Sequence, residues 1–217
     1  MRGRVRYGGG VRLVQITHPL AADRLTRMRD RTAGNAAFRL ALDDLSRMLV
    51  YEAARELPMA PLTVQTPLAA TDGVAIDVQP LVVPVLRAGL GMLPAALSLM
   101  PSTQVGFIGM ARDETTYEPH AYLESLPEDV AGRPVFLLDP MLATGGSLLR
   151  ACRLVFDRGA RKLTVVCVLA APEGLATLEE SGLDLTVVTA AVDEHLDESA
   201  FIVPGLGDAG DRQFGPR

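Results

Sequence analysis

The chain has 217 residues, 48% of them hydrophobic, and a formal net charge of -5. That length and apolar content suffice for one substantial core, so a single α/β domain over residues 1–217 is the default expectation. The acidic balance argues against a general nucleic-acid binder, whose footprint would be a basic face.

The chain opens on a glycine-broken, arginine-bearing stretch, Met1 to Gly10, read as part of an N-terminal arm over residues 1–17 rather than as core. Helical periodicity follows at Pro19 to Arg29 and at Asn35 to Leu57, where Leu42, Leu45, Leu49 and Ala53 share a stripe and Pro58 closes the run. Five β-rich, mostly apolar segments come next: Leu81 to Leu86, Gln104 to Met110, Pro134 to Leu138, Leu163 to Leu169 and Leu185 to Ala191. Helices are expected between them at Gly91 to Met100, Gly146 to Arg158 and Glu173 to Glu180. Strands apolar on both faces, alternating with helices, predict a mostly parallel central sheet flanked by helices. Cys152 and Cys167 both lie inside apolar patterns and read as unpaired core thiols in a reducing compartment. His18, His120 and His195 show no metal-ligand spacing. No apolar run reaches membrane-spanning length and no charged segment followed by an apolar one opens the chain, so the expected location is cytoplasmic, with no membrane partner.

In a parallel sheet, ligands bind beyond the carboxyl ends of the strands. The most informative such place is Asp139 to Ser147, where an apolar strand ends on one carboxylate and a small-residue loop opens into a helix. Main-chain N–H groups of Thr144, Gly145, Gly146 and Ser147 would converge at a helix N-terminus, a favourable seat for phosphate. An ordinary strand-turn-helix corner has the same local pattern. Two better known phosphate loops are excluded: the one lysine, Lys162, does not follow Gly146, and Gly205 to Gly210, which matches Gly-x-Gly-x-x-Gly, has no strand and full helix around it. Further strand-end loops are Arg87 to Gly91, Ala111 to Glu114 opening a polar flap through Tyr122, and the glycine- and carboxylate-rich Phe201 to Asp211.

These segments together resemble the uracil phosphoribosyltransferases, within the type I phosphoribosyltransferase family. Asp139-Pro140-Met141-Leu142-Ala143-Thr144-Gly145-Gly146-Ser147 is similar to that family's phosphoribosyl pyrophosphate (PRPP) loop. Leu86 to Met92, Gly109 to Arg112, Ala171 to Gly174 and Pro204 to Asp211 match in family order and spacing, with weaker matches at His18-Pro19-Leu20 and Tyr51-Glu52-Ala53. The resemblance runs from about His18 to Gly215.

The resemblance implies the type I phosphoribosyltransferase fold with a C-terminal base-binding hood over residues 192–217. It implies transfer of phosphoribose from PRPP to uracil, giving UMP and diphosphate in pyrimidine salvage. PRPP would be bound by Arg87, Arg112, Asp139, Pro140, Met141, Leu142, Ala143, Thr144, Gly145, Gly146, Ser147 and Asp208. Uracil would be bound through Ile202, Gly207, Asp208 and Ala209, chiefly by main chain. Arg87, Arg112 and Asp208 would act on the departing diphosphate. Pro140 replaces the second acid of most type I relatives, so the Mg2+ cofactor would be held mainly by PRPP and water rather than directly by protein. Phe201 replaces a common tyrosine and forgoes its hydroxyl contact. The family's diphosphate loop also tends to contain a non-proline cis peptide near Arg87. A GTP effector and a homodimer or higher homo-oligomer complete the implied partners. Two other readings stay open: a nucleotide- or RNA-binding regulator using Arg2, Arg4, Arg6 and Arg12 as a basic arm, and a transferase for another base such as hypoxanthine or orotate.

Overall fold

The computed structural model describes residues 3–6, 10–112 and 119–216. Its centre is a sheet in the order β1 (Gly3–Arg6), β2 (Val11–Gln15), β12 (Leu185–Val192), β11 (Lys162–Ala170), β9 (Pro134–Leu138), β5 (Leu81–Leu86), β7 (Phe107–Arg112), β8 (Pro119–Ser125). All pairs from β2 to β7 are parallel; β1 and β8 pair antiparallel at the two edges. Two short strands extend it, β6 (Gln104–Val105) beside β5 and β10 (Met141–Leu142) beside β11.

The expected five strands are therefore the middle of the sheet, with Gln104 to Met110 divided into two. Two corrections concern its flanks. Residues 11–15, assigned to the arm, form a strand: Val11, Leu13 and Val14 are buried, and β2 pairs with β12 from Val11↔Leu185 to Gln15↔Thr189. The short apolar alternation in Val-Arg-Leu-Val-Gln is enough once a strand partner 174 residues away supplies the ladder. The flap segment likewise returns as β8, although residues 113–118 lie outside the described residues.

Strand β9 shows why the fold has two helical layers. All five of its residues are buried. Phe136 and Leu138 join the core under α1 (Pro19–Arg29), α2 (Asn35–Ala53) and α3 (Leu93–Leu99), whereas Val135 and Leu137 join the core under α4 (Gly146–Asp157) and α5 (Pro172–Glu180). Alternation of side chains along one strand thus feeds both faces. Phe38, Leu42, Leu45 and Leu49 form the fully buried stripe of α2, which passes into a 3-10 turn at Ala54–Glu56 before Pro58. On α1, His18 caps the first turn by accepting the Leu20 N–H at 3.2 Å, and Pro19 takes the first helical position, where its missing N–H costs nothing. Cys152 and Cys167 are buried on opposite sides of one core, and burial pushes each thiol up to about 12.

Three features stand outside this core. β3 (Met59–Gln65) and β4 (Ala70–Ile76) form a hairpin with its own two-stranded sheet. β13 (His195–Leu196) and β14 (Ile202–Val203) form a smaller one. α6 (Ala209–Phe214) follows, where a glycine-rich loop was expected. It is a six-residue helix capped by Asp208, whose carboxylate accepts the Asp211 N–H at 2.8 Å.

Candidate active site

The strand order reverses between β5 and β9. From β5 the chain steps outward to β7 and then returns past β5 to β9, β11 and β12. Connections leave opposite sides at such a switch point, opening a crevice at the carboxyl ends of the strands. Arg87 follows β5 there and Asp139 follows β9, so the reversal brings together two groups 52 positions apart.

Asp139 begins the loop that leads into α4. Its carboxylate accepts the Met141 N–H at 3.3 Å, and Pro140 O accepts from Val168 and Leu169, laying the loop against β11. Gly145 then turns the chain into α4 with a φ of 83°, a left-handed conformation suited to glycine. The first N–H groups of α4 lack helical partners, and those of Gly146 and Ser147 stand at the half-buried mouth of the loop.

Two glycines fix this loop from either side. A Cβ on Gly89 would lie 2.1 Å from Leu138 O, and one on Gly174 would lie 2.3 Å from Ala143 O. The arginine loop and the start of α5 can approach only because both positions lack side chains. The Leu86-Arg87 peptide is cis, at the place the resemblance implies.

The carboxyl-terminal segment closes the third side. Arg87 Nη2 lies 3.0 Å from Asp211 Oδ1. Asp208 Oδ1 and Arg87 Nη2 also share the space beside Gly210, where a Cβ would stand 3.1 and 3.6 Å from them. Asp208 is near enough to Asp139 for its charge to disfavour ionisation of the second carboxyl. Burial is the larger cause, and together they push Asp139 up to about 7. Of the sequence-predicted residues, Arg87, Asp208 and the run from Asp139 to Ser147 therefore converge. The backbone of Arg112 ends β7, two strands from Asp139, and its side chain lies outside the described residues. Ile202 and Ala209 are buried, while Gly207 and Asp208 are exposed. Phe201 is 46% exposed.

Four supporting residues were not anticipated. Asp193, following β12 as Asp139 follows β9, is clamped by Arg29 at 2.6 and 2.8 Å and accepts the Gly205 N–H at 2.9 Å. Arg29 also donates to Gly205 O. Gln213 is wholly buried behind the arginine loop. Arg212 donates to carbonyls of Met28, Asp30 and Ala33 and lies over the Phe38 ring at 4.6 Å. Asp193 carries a readable signal, its position after an apolar strand; Arg29, Arg212 and Gln213 act through partners distant in sequence.

The raised Asp139 value has a measurable consequence. A carboxyl whose folded value exceeds its unfolded 3.8 binds more protons in the folded state, so stability falls as pH rises from about 4 to about 7. Asp139→Asn removes that loss and keeps an acceptor for Met141. Relative to wild type, its melting temperature should rise by at least about 2 °C between pH 5 and pH 8. An equal temperature difference at both pH values in ligand-free melts contradicts the assignment.

The family model described as Uracil phosphoribosyltransferase matches residues 15–216. A curated uracil phosphoribosyltransferase of Corynebacterium diphtheriae is 57% identical over 202 residues, covering 93% of this chain and 96% of the relative. That of Corynebacterium glutamicum is 56% identical over the same length. A solved structure from Aquifex aeolicus superposes with a TM-score of 0.88 at 38% identity, covering 94% of this chain and 98% of that one. A hypoxanthine-guanine phosphoribosyltransferase of Bacillus anthracis, at 14% identity and a TM-score of 0.51, shares the fold. The agreement spans the phosphate loop, the arginine loop and the carboxyl-terminal segment alike, and on it the chain belongs to the uracil phosphoribosyltransferase family.

Proposed function

We propose that the protein transfers the phosphoribosyl group of PRPP to N1 of uracil, forming UMP and diphosphate in pyrimidine salvage. The observation that carries this reading is the convergence of Arg87, Asp139 and Asp208 at the switch point of a fold whose close relatives are uracil phosphoribosyltransferases. The loop from Ala143 to Ser147 receives the 5-phosphate through main-chain N–H groups and the Thr144 and Ser147 hydroxyls. Pro140, Met141 and Leu142 form the floor that holds these groups in register with β11. Fixing the ribose so that C1 faces the base supplies about 7–11 kcal/mol in favourable cases.

As the C1–O bond breaks, its electron pair leaves with diphosphate and positive charge develops on the ribose, while N1 of uracil forms the new bond and loses its proton. Arg87 and Arg112 meet the growing negative charge of the leaving group. Main-chain groups at Ile202, Gly207 and Ala209 read O2, N3–H and O4 of uracil. Cytosine, whose exocyclic 4-amino group donates and whose N3 accepts, reverses two of these donor-acceptor pairs and is rejected.

Mg2+ fits the donor set. Among the described residues no group of three or more histidine, cysteine or acidic side chains stands together to cage a metal. Magnesium typically takes one or two carboxylates and completes its shell with phosphate oxygens and water. Asp139 and Asp208 are the carboxylates available, Asp139 also lying where the ribose hydroxyls are expected. Bound there with PRPP, the ion supplies charge neutralisation at the diphosphate.

The hairpin of β3 and β4 supports a homodimer or higher homo-oligomer. It exposes Met59, Val64 and Val74, and an isolated two-stranded hairpin is marginal in water. The GTP effector rests on family resemblance alone. A cytoplasmic location is supported by the two buried free thiols, and no helix among the described residues is long and apolar enough to cross a membrane. The basic-arm alternative loses Arg12, whose guanidinium pairs with Glu56 at 2.6 Å within the fold; Arg2 and the side chains of Arg4 and Arg6 lie outside the described residues.

The deciding assay measures UMP formation from uracil and PRPP with Mg2+, with cytosine, orotate and hypoxanthine as competing bases. Uracil-specific turnover is expected, falling at least a hundredfold in Asp208→Ala. Turnover with another base in preference to uracil overturns the reading of the hood, and PRPP binding without turnover on any base points to a regulator.

A further inference from the structure

We propose that Glu173 is a positioning residue for the base: it fastens the hairpin of β13 and β14 to α5 and so sets where the segment that receives uracil stands relative to the loop that receives the 5-phosphate. This rests on the transferase reading above and adds to it a residue outside the substrate contacts assigned there.

The first turn of α5 is built against the loop that leads from Asp139 into α4. Ala171 N–H donates to Leu142 O at 2.8 Å. A Cβ on Gly174 would lie 2.3 Å from Ala143 O, and one on Gly145 would lie 2.9 Å from both Gly174 O and Thr177 Cβ. Main chain meets main chain on both sides of Gly174, so α5 has little room to shift against this loop.

The hairpin is attached differently. Its base is pinned at Asp193, whose N–H donates to Ala170 O and whose carboxylate accepts the Gly205 N–H, both at 2.9 Å. Its tip closes on itself: the Asp197 carboxylate accepts the Ser199 and Phe201 N–H groups at 2.9 and 2.8 Å, and Asp197 N–H donates to Phe201 O. Between base and tip the ladder pairs His195 with Val203 and Leu196 with Ile202. So short a ladder needs support from its surroundings. Leu196 N–H points out of it and donates to Glu173 Oε1 at 3.0 Å. Leu196 stands opposite Ile202, about 5 Å away across the strand pair, so this bond places the Ile202 main chain.

The Leu196 N–H, and after it the N–H of Glu173 itself, hold this carboxyl below its ordinary value. The acceptor is therefore ionised at neutral pH and the bond to Leu196 is charge-assisted. An acid in the first turn also complements the helix dipole, but that role calls for no partner, whereas Glu173 has one 23 positions away in the hairpin. The two roles are separable. A glutamine keeps an oxygen for Leu196 and gives up the charge that the dipole favours. Glu173 is also exposed, so shortening it opens no cavity in the core.

The test combines steady-state UMP formation at saturating PRPP with amide hydrogen exchange at Leu196 in the ligand-free protein. Glu173→Ala should lower kcat/KM for uracil at least tenfold, with the PRPP KM within threefold of wild type and Leu196 exchanging at least fivefold faster. Glu173→Gln should lose less than threefold in kcat/KM for uracil and keep Leu196 exchange within threefold of wild type. A carboxylate that served the helix alone would make the two variants melt alike and use uracil alike. Equal kcat/KM values for the two variants overturn the proposal, as does unchanged Leu196 exchange in Glu173→Ala or an equal loss toward PRPP and uracil. Wild-type protein that forms no UMP removes the transferase reading itself, a distinguishable failure, because exchange at Leu196 still decides whether Glu173 holds the hairpin.

Discussion

Gly89→Ala is expected to reduce UMP formation at least a hundredfold although it adds a single methyl group. The new Cβ would stand 2.1 Å from Leu138 O and 3.2 Å from the carbonyl carbon. Both are backbone atoms, so no side-chain rotation relieves the clash. Either the loop bearing Arg87 or the peptide leading into Asp139 must move by about an ångström, and misplacement of that size costs about a hundredfold in a reaction that depends on positioning. Steady-state kinetics should show the loss chiefly in kcat, with PRPP still bound through the phosphate loop. Gly182→Ala is the control for added Cβ mass at a glycine with nothing within 4 Å. Its φ of 70° costs some stability, but it lies away from the crevice and should leave kcat within twofold. Near wild-type turnover in Gly89→Ala refutes the close approach.

Arg29→Ala carries the largest expected loss of stability. Asp193 is 9% exposed, and Arg29 supplies both forked donors to it. Deleting one partner of a buried pair leaves the other charge without compensation, at about 3–5 kcal/mol. For a chain of this size that corresponds to a melting temperature lower by about 10 °C. Arg27→Ala provides the contrast: its pair with Asp23 at 3.0 Å is exposed, and its loss should cost about 1 kcal/mol or less. Arg29→Ala should also raise the uracil KM, because Asp193 and Arg29 together hold both main-chain groups of Gly205. Equal melting temperatures for the two variants would show that the buried pair contributes nothing beyond a surface one.

The two expected losses concern regions that differed in how plainly their residues announced them. β9, its loop and α4 were legible because the strand is apolar at every position and the following glycines sit where a left-handed turn begins. α1 matched its expected bounds, since His18 and Pro19 form a local start signal. The hairpin of β3 and β4 was missed because most of its residues are exposed and no buried face imposes alternation. α6 looked like a loop because four of the eight residues from Asp208 to Gly215 are aspartate or glycine and no apolar stripe forms; its order comes from Gln213 and from arginines elsewhere in the chain. Arg29 and Asp193 lie 164 positions apart, and no local spacing relates them. Local rules thus located the loop between β9 and α4, while the contacts that hold the carboxyl-terminal segment required the folded chain.

Burial of both cysteines bears on how the protein withstands oxidants and alkylating agents. With each thiol pushed up to about 12, the thiolate that such reagents attack is scarce at neutral pH. Sensitivity to oxidation then passes to the thioethers, and Met141 stands half-buried between Asp139 and α4.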